Sequence, residues 1–150
     1  MIRVKMLGAR EMVATLKKIA EKFPDRVGAA IYREAQIEMT EAKRRTPVSP
    51  TAAQFRAMGR SMPKGLVPGT LRASGQVHDP ERRGNTISVT LSFGGAAIDY
   101  AIVQHERLDF FHTTGQAKFL ESVLNESRPY MAARIARRVH LSRMKEAHVS

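Results

Sequence analysis

Residues 86–93 read TISVTLSF, and the alternation is strict. Ile87, Val89, Leu91 and Phe93 fall on one side of an extended chain. Thr86, Ser88, Thr90 and Ser92 fall on the other, because successive side chains of a strand point to opposite faces. One apolar face and one hydroxyl face predict a strand packed on a core from one side and wet on the other, as in an antiparallel sheet. Upstream, Asp79-Pro80 through Gly84-Asn85 supplies turn chemistry. Before that turn, Leu71, Ala73, Gly75 and Val77 alternate with Arg72, Ser74, Gln76 and His78, so a strand is expected after Gly69-Thr70. Downstream, Gly94-Gly95 turns the chain and Ile98 to His105 reads as the next strand, completing a meander.

Further out the period changes. Ile2, Val4 and Met6 alternate with Arg3 and Lys5, a short strand that Gly8 breaks. Val13, Leu16, Ile19, Ala20 and Phe23 recur at helical spacing over about 10–23. Pro24 ends that helix and suits the first turn of another, expected over 24–45. Its stripe is Val27, Ile31, Ala35 and Met39, with Glu34, Glu38 and Glu41 expected to face solvent. Lys43-Arg44-Arg45 suits the negative end of the helix dipole, and Pro47 enforces the stop. Residues 46–70, rich in Pro and Gly, read as a long inserted loop, with a short helix through about Met58 that has Ser49 as N-cap and Pro50 at its first position. The final helix begins near Gln116, buries Leu120, Leu124, Met131, Ile135 and Val139, and is expected to kink or break near Ser127-Arg128, ahead of Pro129. The order strand, helix, helix, loop, three strands, helix predicts an α+β fold: a small, mainly antiparallel sheet with long helices packed on one face. One domain over 1–150 accommodates it.

The chain carries a formal net charge of +11, unevenly spread. Residues 86–127 hold five acidic and two basic side chains, whereas the flanking segments are all basic. Such a chain attracts polyanions or acidic protein surfaces. It has no cysteine, which excludes disulfides and thiolate metal sites and is compatible with a reducing compartment. It shows neither an apolar run long enough for a membrane span nor a signal-peptide pattern at its start.

Residues 100–120, YAIVQHERLDFFHTTGQAKFL, concentrate four of the nine aromatic residues and two of the five histidines. His105, Glu106 and His112 invite a metal or acid/base reading. The spacing lacks the i, i+4 histidine pair of zinc helices, and hydrogen-bonding or surface histidines are the expectation. No nucleophile elbow or phosphate-binding glycine pattern is present, so no catalytic residue, metal ligand or cofactor is assigned. Arg134, Arg137, Arg138 and Arg143 make residues 128–145 a basic helix. It is either a solvated face or a surface for DNA phosphates or an acidic partner.

Residues 42–48 (AKRRTPV), 69–74 (GTLRAS), the strand 86–93, Tyr100-Ala101, Gln104-His105-Glu106 and 115–121 (GQAKFLE) together resemble the small head–tail joining, or tail-completion, proteins of tailed bacteriophages. In that family TPV and GTLR usually lie a few residues apart, so Ser49 to Pro68 looks like an insertion. The resemblance implies a virion protein of the neck, assembled in the host cytoplasm. It would form a six-fold or twelve-fold ring joining portal or connector to tail, as stopper, tail-completion protein or terminator. It implies no enzyme activity, membrane or small-molecule substrate. Phe55, Arg56, Arg60, Glu106, Asp109, Phe110 and Phe111 are the expected subunit or partner interface. The alternative is a nucleic-acid-binding protein insensitive to base sequence.

Overall fold

The structure, a computed structural model, describes residues 2–6, 13–95, 101–106 and 114–147, with the side chains of 18–95, 101, 105–106 and 114–140. In chain order the elements are β1 (Ile2–Met6), α1 (Val13–Lys22), α2 (Pro24–Arg45), α3 (Ala52–Ala57), α4 (Thr70–Ala73), β2 (Gln76–Val77), β3 (Glu81–Arg83), β4 (Thr86–Phe93), α5 (Ala101–Glu106) and α6 (Phe119–Ala147).

The alternating stretch, β4, is the central strand. β1 pairs antiparallel along one edge, with Ile2 opposite Phe93 and Met6 opposite Val89. β2 and β3 also pair antiparallel with β4, in succession. Val77 lies opposite Leu91 but Glu81 opposite Ser88, so three residues, His78 to Pro80, face two on β4. That is a one-residue bulge. The His78 N–H still bonds the Thr90 carbonyl (2.8 Å), whereas Pro80 has no N–H to offer the ladder. Gly84, at φ 59°, is the first central residue of the two-residue turn into β4, the place where a II′ hairpin turn needs positive φ.

Val89, Leu91 and Phe93 are fully buried against the α2 stripe of Val27, Ile31, Ala35 and Met39. Ser88 and Ser92 are buried as well, so the hydroxyl face is less wet than the alternation predicts. Ser92 bonds the imidazole of His78 (2.7 Å) on that face. α2 lies between the sheet and α6. Cross-helix partners run from Arg45 with Glu126 to Glu34 with Arg138, so α2 and α6 are antiparallel. The architecture is α+β, as expected.

Several local expectations are corrected. Residues 70–73 form a helical turn, not a strand. Gly69 at φ 85° starts it, and the Ala73 N–H bonds the Gly69 carbonyl (2.8 Å). An alternation made of Ala and Gly buries too little to enforce extension, and the turn buries Leu71 and Gly75, four apart. The strand expected over 98–105 is helical from Ala101, with Ala101 and His105 buried at i, i+4; residues 96–100 lie outside the described residues.

The inserted stretch is not a structureless loop. α3 is capped by Thr51 rather than Ser49. Its hydroxyl accepts from the Gln54 N–H (3.3 Å), and the Gln54 side chain accepts from the Thr51 N–H (2.8 Å). α6 runs unbroken through Pro129. Asn125, whose carbonyl loses its donor, and Pro129 itself are both exposed, so water can solvate the freed carbonyl. The predicted stripe keeps one phase across the proline: Leu120, Met131, Ile135 and Val139 are buried, and Leu124 packs against them.

Candidate functional site

The segments that carry the resemblance lie far apart in sequence but meet at the C-terminal end of α2. Arg72 donates to the Thr46 carbonyl (2.9 Å), and the Thr46 hydroxyl donates to the Ala42 carbonyl (2.7 Å). The Gln116 N–H bonds the Arg45 carbonyl (2.9 Å). Gly115, at φ 81°, passes so close to the turn after α2 that a Cβ on it would lie 2.6 Å from the Pro47 nitrogen. Phe119 sits edge-on to both Phe93 and His105, with ring centroids 5.0 Å apart in each pair. Gly75 leaves room for Lys43, Met39 and Phe93, each of which a Cβ there would meet within 2.8 Å.

His105 and Glu106 belong to this junction. The Glu121 N–H points at His105 Nε2 (3.4 Å), so Nε2 is the acceptor and Nδ1–H donates to the Glu106 carboxylate (2.7 Å). Lys118 ion-pairs with Glu106 and with Glu121 (3.0 Å). These bonds hold Glu106 below the ordinary carboxylate value, through Lys118 first and His105 second. The same contacts, Glu106 before Glu121, raise the Lys118 ammonium. Lys118 is the only described non-glycine residue with positive φ (54°), and its N–H bonds the His105 carbonyl (2.7 Å), which helps to hold that backbone.

Ligand atoms of His105, Glu106 and Glu121 lie within 4.8 Å of one another, the spacing of a metal site. Both imidazole nitrogens already have partners, and a lysine ammonium already bridges the two carboxylates. A cation would have to displace it. His112, the third residue of the sequence reading, lies outside the described residues.

The basic helix differs from expectation. Arg134 bonds Glu34 (2.5 Å) and Glu38 (2.7 Å), and Arg138 bonds Glu34 (3.1 Å). Glu34 and Glu38, expected to face solvent, are 0% and 3% exposed. Both lie on the α2 flank turned to α6. Arg134 and Arg138 therefore neutralise acids within the chain. Burial raises the Glu38 carboxyl above its ordinary value, outweighing the Ser127 hydroxyl and Arg134. Glu41, also expected in solvent, is half-buried and accepts from Arg45 (2.8 Å). Arg45 additionally grips Glu126 with both ends of its fork (2.7 Å each). Arg137 is exposed, and the side chain of Arg143 lies outside the described set. Sequence reasoning missed this seam, although Glu34/Glu38 and Arg134/Arg138 share the same i, i+4 spacing.

Of the expected interface residues, Phe55 is corrected: its ring is turned into the chain and is 8% exposed. Arg56 and Arg60 are exposed. Glu106 is exposed but held by Lys118 and His105. Asp109, Phe110 and Phe111 lie outside the described residues. At the opposite end of α2 there is a groove of about 420 Å³ that the sequence did not announce, lined by Pro24, Gly28, Tyr32, Pro80 and Ile87 with Asp25, Asp79 and Glu81.

No family model, curated protein or solved structure matches the chain. No helix among the described residues is long and apolar enough to cross a membrane.

Proposed function

We propose that the chain is a non-catalytic structural protein of a tailed-phage virion, a ring-forming part of the neck that joins portal or connector to tail. One observation carries this reading: residues 45–48, 72, 105–106 and 115–121, in the order of the family they resemble but with Ser49 to Pro68 inserted, converge on one junction. Its groups are committed to one another, with two backbone segments in contact at a glycine and a buried histidine tied to an ion-pair cluster. Such a junction suits a scaffold that must hold its shape under load. Ring contacts would then use surfaces away from it, with neighbouring copies, connector and tail proteins as partners.

The nucleic-acid reading is weakened, because two of its four named arginines are bound to Glu34 and Glu38. Imaging of particle necks with and without the gene tests the proposal. A ring at the head–tail joint that disappears with the gene, leaving unjoined heads and tails, is expected. Normal particles lacking the protein would refute it. DNA affinity that falls steeply with salt, without any neck density, would favour the alternative.

A further inference from the structure

The two ends of α2 present complementary surfaces. Beyond its C-terminal end, residues 51–70 carry Arg56, Arg60 and Lys64 and no acidic side chain. The capping box stabilises α3 itself, and its Phe55 is buried. Arg56, Met58 and Arg60 consequently face outward, Met58 at 51% exposure. A methionine is unbranched and adapts to irregular apolar surfaces.

At the N-terminal end lies the groove, between the first turns of α2 and the bulge before β3. Pro24, Pro80 and Ile87 give it apolar walls, and Asp25, Asp79 and Glu81 give it acid. Gly28 lets Pro80 come close: a Cβ there would lie 3.3 Å from the proline Cβ. Arg82 is the one cation among the described lining residues, and Arg83 ion-pairs with Glu81 at 3.4 Å, so Asp25 and Asp79 carry the acidic character.

α2 has 22 residues and is therefore about 33 Å long at ~1.5 Å per residue. The α3 arm follows the C-terminal end of α2 in the chain, and the groove lies at its N-terminal end. We propose that the α3 arm of one copy, Met58 flanked by Arg56 and Arg60, docks into the Asp25–Asp79 groove of the next copy. Different patches at opposite ends of a rigid element make a head-to-tail contact, which closes into a ring when the rotation per copy permits. The inference rests on the ring reading above and names its interface.

The cysteine-free chain suits a cross-linking test. Met58→Cys and Ala29→Cys, the latter an exposed groove position, are made singly and together. Under mild oxidation, in purified protein and in assembled particles, the mixture should give roughly tenfold more disulfide dimer than either variant alone. The double variant should give a ladder ending at the ring size. The pair Asp25→Lys and Asp79→Lys should abolish the ladder, and an Arg56→Asp, Arg60→Asp partner should restore the contact. Rings that form without this cross-link, or that tolerate the lysine substitutions, overturn the docking and leave the ring reading intact. A groove cysteine that captures another virion protein also overturns it. Absence of any ring, in solution and in the neck, removes the ring reading and the docking with it.

Discussion

α2 meets the rest of the protein through two faces that work differently. Towards the sheet it presents Val27, Ile31, Ala35 and Met39 to Val89, Leu91 and Phe93, an apolar contact. Towards α6 it presents Glu34 and Glu38 to Arg134 and Arg138, and Arg45, itself bonded to Glu41, to Glu126. The first face tolerates sliding, since hydrophobic burial is non-directional. The second admits one alignment, because guanidinium forks must meet carboxylates at bonding distance. We read the sheet face as the main source of stability and the α6 face as the register of the two longest helices. A buried ion pair gains little over an apolar one and costs much when halved.

Removing the apolar side should have the largest effect. Phe93→Ala deletes a fully buried ring packed on Phe119 and should cost about 3–5 kcal/mol in urea unfolding. A loss below about 1 kcal/mol would mean that the sheet face is not the main core. The junction comes next. Gly115→Ala forces a side chain into a left-handed backbone pressed on Pro47 and should cost about 2–3 kcal/mol. A neutral result would show that the segment can move off the α2 end.

The charged face gives a two-part outcome. Arg134→Met leaves Glu34 with Arg138 and Glu38 with only the Ser127 hydroxyl, and should cost about 2 kcal/mol. Replacing Glu34, Glu38, Arg134 and Arg138 together by leucine or methionine should return stability to within about 1 kcal/mol of the parent. If the quadruple variant is as unstable as the single one, the seam contributes stability and not only register.

A pH series sharpens the same comparison. The Glu38 carboxyl is raised above 4.5 by burial, so the folded state holds its proton more firmly than the unfolded chain. Its contribution is fully present below pH 4.5 and is lost as pH rises through the folded value. Glu41, Glu106 and Glu126 are lowered and act oppositely, stabilising above their ordinary value and losing that as pH falls. Glu38→Gln should therefore flatten the decline of melting temperature above pH 4.5 and leave the acid limb in place. An unchanged profile would remove Glu38 as its source. The smallest change belongs to Glu126→Ala, an exposed partner of Arg45, whose effect should vanish at molar salt.

The two faces of α2 were also unequally legible. The apolar stripe, β4 and both proline-bounded ends of α2 could be read because each reports on its own period or its own backbone restriction. The same reading sent Glu34 and Glu38 to solvent, since a carboxylate beside an apolar stripe looks the same whether water or an arginine from residue 134 faces it. The candidate site fared alike. His105 and Glu106 stood out by type, yet their partners Lys118 and Glu121 lie 12 or more positions on in the sequence, beyond what a local period reports. The helical turn at Thr70–Ala73 and the helix at Ala101–Glu106 were misread because four to six residues fit either period when only one or two are large and apolar.

By itself, then, the sequence determined the α+β class, the strand at 86–93, the limits of α2 and the apolar stripe of α6, all consequences of side-chain periodicity and of what proline and glycine allow the backbone. Only the tertiary structure decided which charges are paired, that Phe55 turns inward, that Pro47 and Gly115 touch, and that a groove opens between Gly28 and Pro80. Those outcomes depend on contacts between residues up to 104 positions apart. No local pattern encodes them, because the free energy of such a contact belongs to the pair and exists only once the chain has brought the pair together.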